Sequence, residues 1–196
     1  MDYNDFSSRL KRTLSSLNGR FDDEIAIYIS QGQDENRSFF SMQAGNDDEE
    51  VIINKIFLIL YNLASLKDNL KNCLKNKGVN PQIVEDEINN SIHLQVLIDI
   101  VNQEKHGYPL TKSNRSNKNP LVKHAMQMLE LTSSTEPGSN AGVFLNQKEL
   151  NLIGDSKMVL SAMIFDDKNN FLFMFDELAD KSFEKFVEIA NEFNCY

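Results

Sequence analysis

The chain has 196 residues, 41% hydrophobic and 25% charged, with thirteen Phe and no Trp. That is enough apolar material for a folded core, and the charge content is too ordinary for a disordered chain. A net charge of −9 argues against a surface built throughout for nucleic acid.

The first residues, Met1-Asp2-Tyr3-Asn4-Asp5, carry no basic segment followed by an apolar stretch, which predicts no secretory signal. Residues 3 to 18 read as an amphipathic helix, with Phe6, Leu10, Leu14 and Leu17 at helical spacing and Asn18-Gly19 as its stop. Residues 23 to 30 alternate as a strand. Gln31 to Asn36 is turn material, and Ser38 to Gln43 reads as the return strand. From about Asp48 to Lys75 a long helix is expected. Asn46 to Glu50 supply its cap and an acidic first turn, and Gly78 ends it. Its apolar stripe is Ile52, Ile56, Ile59, Leu60, Leu63, Leu66, Leu70 and Leu74. The longest apolar run within it, Ile56 to Leu60, is far too short to cross a bilayer, so a cytoplasmic protein with no membrane partner is expected.

Asn80-Pro81 opens a short helix, with Asn80 as cap and Pro81 at the first helical position. A further helix spans about His93 to Lys105, closed by Gly107 and Pro109, with Leu94, Leu97, Ile98 and Val101 as its apolar face. Residues 111 to 120 and 132 to 140 read as polar loops, the first of them mobile. Leu121 to Leu131 alternates loosely and is taken as a strand. Val143 to Leu145, Lys157 to Phe165 and Phe171 to Phe175 read as strands, the last two joined by a turn at Asp166 to Asn170. Alternation assigns Phe171, Phe173 and Phe175 to the core. A closing helix over 180–193 presents Phe183, Phe186, Val187 and Ala190 to the core. The fold class is therefore α+β in one domain, residues 1–196. An antiparallel helical pair at about 46–107 is combined with antiparallel β hairpins or sheet, the β-rich part lying at about 121–176.

Cys73 and Cys195 lie far apart and form no metal-ligand spacing, which predicts free thiols in a reducing compartment rather than a disulfide or a zinc site. Dinucleotide, P-loop and α/β-hydrolase motifs do not occur, and no metal or cofactor is implied. Residues 105 to 124 carry Lys105, Lys112, Arg115, Lys118 and Lys123 without an acid. This basic loop reads either as a solvated face or as a means of steering RNA or a nucleotide.

One polar constellation could carry chemistry. Gln95, Asp99, Asn102 and His106 recur at helical spacing and form a stripe, with Lys105 at its edge and Tyr108 beyond the turn. Lys67, Asp68 and Asn69 of the long helix are expected to face it. An imidazole there can act as general acid or base, and a lysine can stabilise a developing anion. Equally, Lys105 and His106 suit the negative end of a helix dipole, and Asp99 and Asn102 suit hydrogen bonds that set helix register.

The string Leu97-Ile-Asp-Ile-Val-Asn102-Gln-Glu-Lys-His106-Gly, following a long helix with Leu66-Lys-Asp-Asn-Leu-Lys, resembles HEPN-type helical domains over about residues 48 to 110. The resemblance implies a helical, commonly dimeric domain of prokaryotic toxin–antitoxin or phage-defence systems. Many such domains are metal-independent ribonucleases with an arginine separated from a histidine by four to six residues. His106 matches that histidine and Asn102 a polar neighbour. At the arginine's positions stand Asp99 and Val101, and an acid there repels a scissile phosphate. The resemblance thus implies a non-catalytic interaction protein, with a homodimer or another protein as partner. The alternatives are a divergent ribonuclease using His106, Lys105 and Asn102, and an accessory module whose β part binds a partner. Binding residues on these readings are Asp99, Tyr108, Lys67, Asp68, Lys112, Arg115 and Lys118.

Overall fold

A computed structural model describes residues 6–17, 27–34, 37–44, 49–110, 114–131, 141–146, 149–154 and 156–195. The chain is α+β. In order, its elements are α1 (Phe6–Leu17), β1 (Ile27–Asp34), β2 (Arg37–Ala44), α2 (Glu49–Asn76), α3 (Gln82–Asn90), α4 (Ile92–His106), β3 (Leu121–Leu131), β4 (Ala141–Asn146), β5 (Glu149–Gly154), β6 (Ser156–Phe165), β7 (Phe171–Met174) and α5 (Phe175–Glu192). They divide into two compact units. One comprises Met1–Gly19, Ile53–His124 and Ala162–Tyr196, the other Arg20–Ile52 and Ala125–Ser161.

The first unit is mainly helical. All eight apolar stripe residues of α2 are buried, from Ile52 to Leu74. Glu49 and Glu50 meet the positive end of the α2 dipole and Lys75 the negative end. Gly78, at φ +71°, lets the chain reverse. The amide of Val79 then donates to the Leu74 carbonyl at 2.9 Å and that of Gly78 to the Lys75 carbonyl at 3.1 Å, the bond pair of a Schellman turn. Pro81 already has helical angles, and Asn80 Oδ1 accepts from the Gln82 amide at 3.0 Å, as a cap should. Ser91 caps α4 by accepting from the Leu94 amide.

Helix α4 departs from the amphipathic expectation. Besides Leu94, Leu97, Ile98 and Val101, it buries Val96, Asp99, Ile100 and Gln103, so its middle is enclosed on every side. It packs against α3 and α5, and its His93 ring lies 4.5 Å from that of Phe173. Lys105 of α4 meets Tyr61 of α2, and Lys71 of α2 meets Glu85 of α3. Helix α1 buries Phe6 and Thr13 and is tied to α2 by Arg9 Nε donating to Ser65 Oγ at 2.6 Å. Leu14, expected in its apolar face, is 38% exposed.

Strand order in the three-stranded sheet is β3-β6-β7, and β3 and β6 each run from one unit into the other. Two further antiparallel pairs complete the second unit. β1 and β2 pair from Ile27↔Ala44 to Asp34↔Arg37, so the strand continues through residues 31–34 that were expected to turn. β4 and β5 pair from Ala141↔Gly154 to Asn146↔Glu149, and β5 is an element the sequence pattern did not announce. The expected loop at 132–140 lies outside the described residues.

Two corrections concern the end of the chain. Phe175 opens α5 rather than closing β7. Asp176 and Glu177 supply the acidic first turn, and the helix starts about a turn earlier than expected. Its buried face is Phe175, Leu178, Ala179, Ser182, Phe186, Ile189 and Ala190, with Phe183 and Val187 only half-buried. The second correction is that Cys73 and Cys195 are not free thiols but a disulfide, with Cα atoms 5.9 Å apart. Asn194, at φ +52°, turns the chain back so that the Cys195 amide donates to the Ala190 carbonyl at 2.8 Å. Spacing could not reveal this pair, because the link joins residues 122 apart in sequence.

Cross-linking so long a stretch removes chain entropy from the unfolded state, worth about 2–5 kcal/mol. Reduction with a phosphine should therefore lower the thermal midpoint by about 5–15 °C, and Cys73→Ser should do the same without reductant. Two titratable thiols in the unreduced, denatured protein would show that the bond is absent.

Candidate functional site

The polar stripe of α4 does not form one site. Asp99 is fully buried. Its Oδ1 accepts from the Arg115 amide at 2.8 Å, and its Oδ2 from the Ser116 amide at 2.7 Å and the Ser116 hydroxyl at 2.6 Å. Backbone and hydroxyl donors thus replace water around a buried carboxylate. Ser116 Oγ in turn accepts from the Lys118 amide at 3.2 Å, and Asn114 Nδ2 donates to Asn119 Oδ1 at 3.0 Å. Asn117 and Asn119 take left-handed backbone angles, φ +55° and +43°, which asparagine tolerates better than most residues. The segment 114–119, expected as a mobile polar loop, is therefore a clasp moulded on Asp99.

The arginine of this loop is occupied rather than solvated. Arg115 donates through Nη2 to Glu85 Oε2 at 2.7 Å and through Nη1 to Asn89 Oδ1 at 3.0 Å. Glu85 and Asn89 stand one turn apart on α3, so one guanidinium spans both. Lys71 of α2 takes the other Glu85 oxygen. Burial pushes the Glu85 carboxyl up. Hydrogen bonds from Lys71 and Arg115, with the charges of Arg115 and Lys67, outweigh it and hold the group below its ordinary value. Lys67 otherwise lies 3.9 Å from exposed Asp68, and Asn69 is buried. On the far side of the clasp, Asn119 Nδ2 donates to Asp167 Oδ2 at 3.0 Å, and the Lys118 carbonyl accepts from the Asp167 amide at 3.0 Å.

Beyond Asp99 the stripe opens to solvent. Asn102 is half-buried, and Lys105, His106 and Tyr108 are exposed. Gly107, at φ +87°, ends the helix with its amide donating to the Gln103 carbonyl at 2.7 Å. Lys105 Nζ sits 5.4 Å from the centre of the Tyr61 ring, within cation–π range. Burial, and secondarily the Glu104 charge, hold the Tyr61 phenol above its ordinary value. Of the residues singled out by sequence, Asn102, Lys105, His106 and Tyr108 thus share one helix end. Asp99 and Arg115 belong to the clasp, with Lys118 anchoring it through its backbone. Lys67 and Asp68 lie on α2, with Lys67 electrostatically coupled to Glu85, and Lys112 lies outside the described residues.

Sequence reasoning missed Glu85, Asn89, Lys71 and Ser116. Only the Glu85/Asn89 spacing of one helical turn hinted at a shared partner, and nothing local pointed to Arg115. No family model matches the chain, and no curated protein or solved structure does either.

Asp99→Ala would strand three donors, the two of Ser116 buried and the Arg115 amide partly so, each buried one worth about 1–3 kcal/mol when unpaired. It should lower unfolding free energy in urea by about 3 kcal/mol or more, whereas an unchanged midpoint would mean that the clasp contributes nothing. The contribution of Glu85 depends on pH. Its depressed carboxyl contributes stability that is complete above about pH 4.3 and is lost as pH falls through the lower folded value. The stability gap between the wild type and Glu85→Gln should therefore shrink as pH is lowered from about 6 towards 3. A gap constant over that range would contradict it.

Proposed function

We propose that this chain is a HEPN-like interaction protein that binds a partner or a second copy of itself and does not cleave RNA. Its setting, on this reading, is the cytoplasm of a prokaryote, in a defence or toxin–antitoxin system. The observation that supports it is the fate of Asp99. The position where a HEPN ribonuclease would carry its arginine holds a carboxylate, and that carboxylate is sealed inside the helical unit by the 115–116 backbone. Arg115, the nearest arginine in sequence, is held by Glu85 and Asn89. What is left at the helix end suits recognition: a half-buried amide, a cation, an imidazole and a phenol ring.

A second reading has one observation in its favour. Lys105 and His106 are both exposed at the same helix end. There, His106 would serve as general acid or base and Lys105 would stand in for the arginine.

One experiment separates the two. Purified protein and its His106→Ala variant are incubated with total cellular RNA in EDTA, and their mass is read by light scattering with and without cell extract passed over the immobilised chain. The interaction reading expects intact RNA in both samples together with a dimer or a stoichiometric complex. Metal-independent cleavage that disappears in the variant would establish the ribonuclease reading instead. Intact RNA together with a monomer that captures nothing would count against both.

A further inference from the structure

Three side chains form a row across the sheet β3-β6-β7. His124 of β3 meets Phe165 of β6 edge-on, with ring centroids 5.9 Å apart at 78°. Phe165 meets Phe171 of β7 in the same way, at 6.0 Å and 77°. Two departures from regular strand geometry build the row. His124 has φ +55° within a strand, a left-handed conformation that costs a residue with a Cβ. Adjacent strand residues normally point to opposite faces. Here both His124 and Lys123 reach the Phe165 ring, with Lys123 Nζ 5.6 Å from its centre. On the other side, the pairing shifts between Ile164 and Phe165, so that Phe173 faces Ile164 while Phe171 faces Phe165. The shift takes Phe171 out of the core alternation expected of it. Phe175 is buried and Phe173 packs on His93, but Phe171 is 53% exposed.

Both signs of charge occur around this row, two lysines and the two acids of the β6–β7 turn. Lys123 is held by Asn169 Oδ1 at 3.0 Å, and exposed Lys168 lies in the turn joining β6 to β7. The acids of that turn are engaged. Asp166 is buried and accepts from the amides of Lys168 and Asn170 and from Asn170 Nδ2, and Asp167 accepts from Asn119. Exposed aromatic rings beside cations that find no acid among these contacts are what an unpaired base and its phosphate require: a π face to stack on and a positive charge to meet the backbone. We propose that His124, Phe165 and Phe171, with Lys123 and Lys168, form a stacking surface for single-stranded nucleic acid. The proposal does not rest on the reading of the α4 helix end.

The probe is a fluorescein-labelled single-stranded oligouridylate of about a dozen nucleotides, titrated with the full chain at low salt and read by anisotropy, beside a duplex of the same length. Single strands should bind more tightly than duplex, and more weakly as salt rises. Phe171→Ala should weaken binding about five- to a hundredfold, the loss expected for one stacking partner. Phe171→Tyr should restore it, and Lys123→Gln should weaken binding and flatten the salt dependence. Because Phe171 is half-exposed, its replacement should leave the thermal midpoint nearly unchanged. Should Phe171→Ala unfold, the tyrosine and Lys123 variants still decide the matter. No binding by the wild type, equal binding of duplex, or Phe171→Ala binding like the wild type would overturn the proposal. So would capture by phosphatidylserine vesicles with the oligonucleotide ignored.

Discussion

A carboxylate at the centre of a buried helix must be met by donors or give up its charge, and Asp99 is met by donors alone. No cation touches it among the described contacts; two amides and one hydroxyl do. That requirement shapes the chain after α4. The loop must arrive with Arg115 and Ser116 amides aimed at the helix, and Asn117 and Asn119, which follow them, take left-handed angles. Once the loop is seated, the Arg115 side chain is delivered to α3, where it completes the coordination of Glu85 begun by Lys71. The Lys118 and Asn119 end is delivered to the turn at Asp167. Helices α2, α3 and α4 and the β6–β7 turn are thus joined through one loop that has no regular secondary structure of its own.

The same constraint divides the chemistry of α4. Residues up to Gln103 serve packing, while the last turn is left to solvent. A helix enclosed along most of its length and open at its end is a rigid mount for whatever side chains stand there. Rigidity of that kind suits a recognition surface, because little side-chain and backbone freedom is lost when a partner arrives.

Much of the helical architecture was legible because it rests on local rules. The α2 stripe, the Gly78 turn, the Asn80 cap and the Gly107 stop each follow from a few neighbouring residues. Readings failed where the deciding partner is distant. Asp99 looks like a member of an amphipathic polar face until the loop that covers it, some sixteen residues on, is folded over it. The basic loop looks solvated until Glu85, thirty residues back, is placed beside Arg115. Phe171 obeys the alternation of a core strand, and only a register shift that involves β6 removes it. The candidate site suffered most, since the stripe that defined it mixes residues with two separate fates.

The bond between Cys73 and Cys195 turns most of the first unit, and much of the second, into a covalent ring. Every residue between them, including α3, α4, the clasp, the sheet and α5, lies on a circuit closed across 122 positions. A single protease cut anywhere on that circuit would leave the pieces attached. The nicked protein would migrate as one species until its sulfurs were reduced. Where the cell is oxidising, a severed loop need not release the segments on either side of it. Where it is reducing, packing alone holds them together after the same cut. Damage to the backbone therefore has consequences set by the redox state of the surroundings.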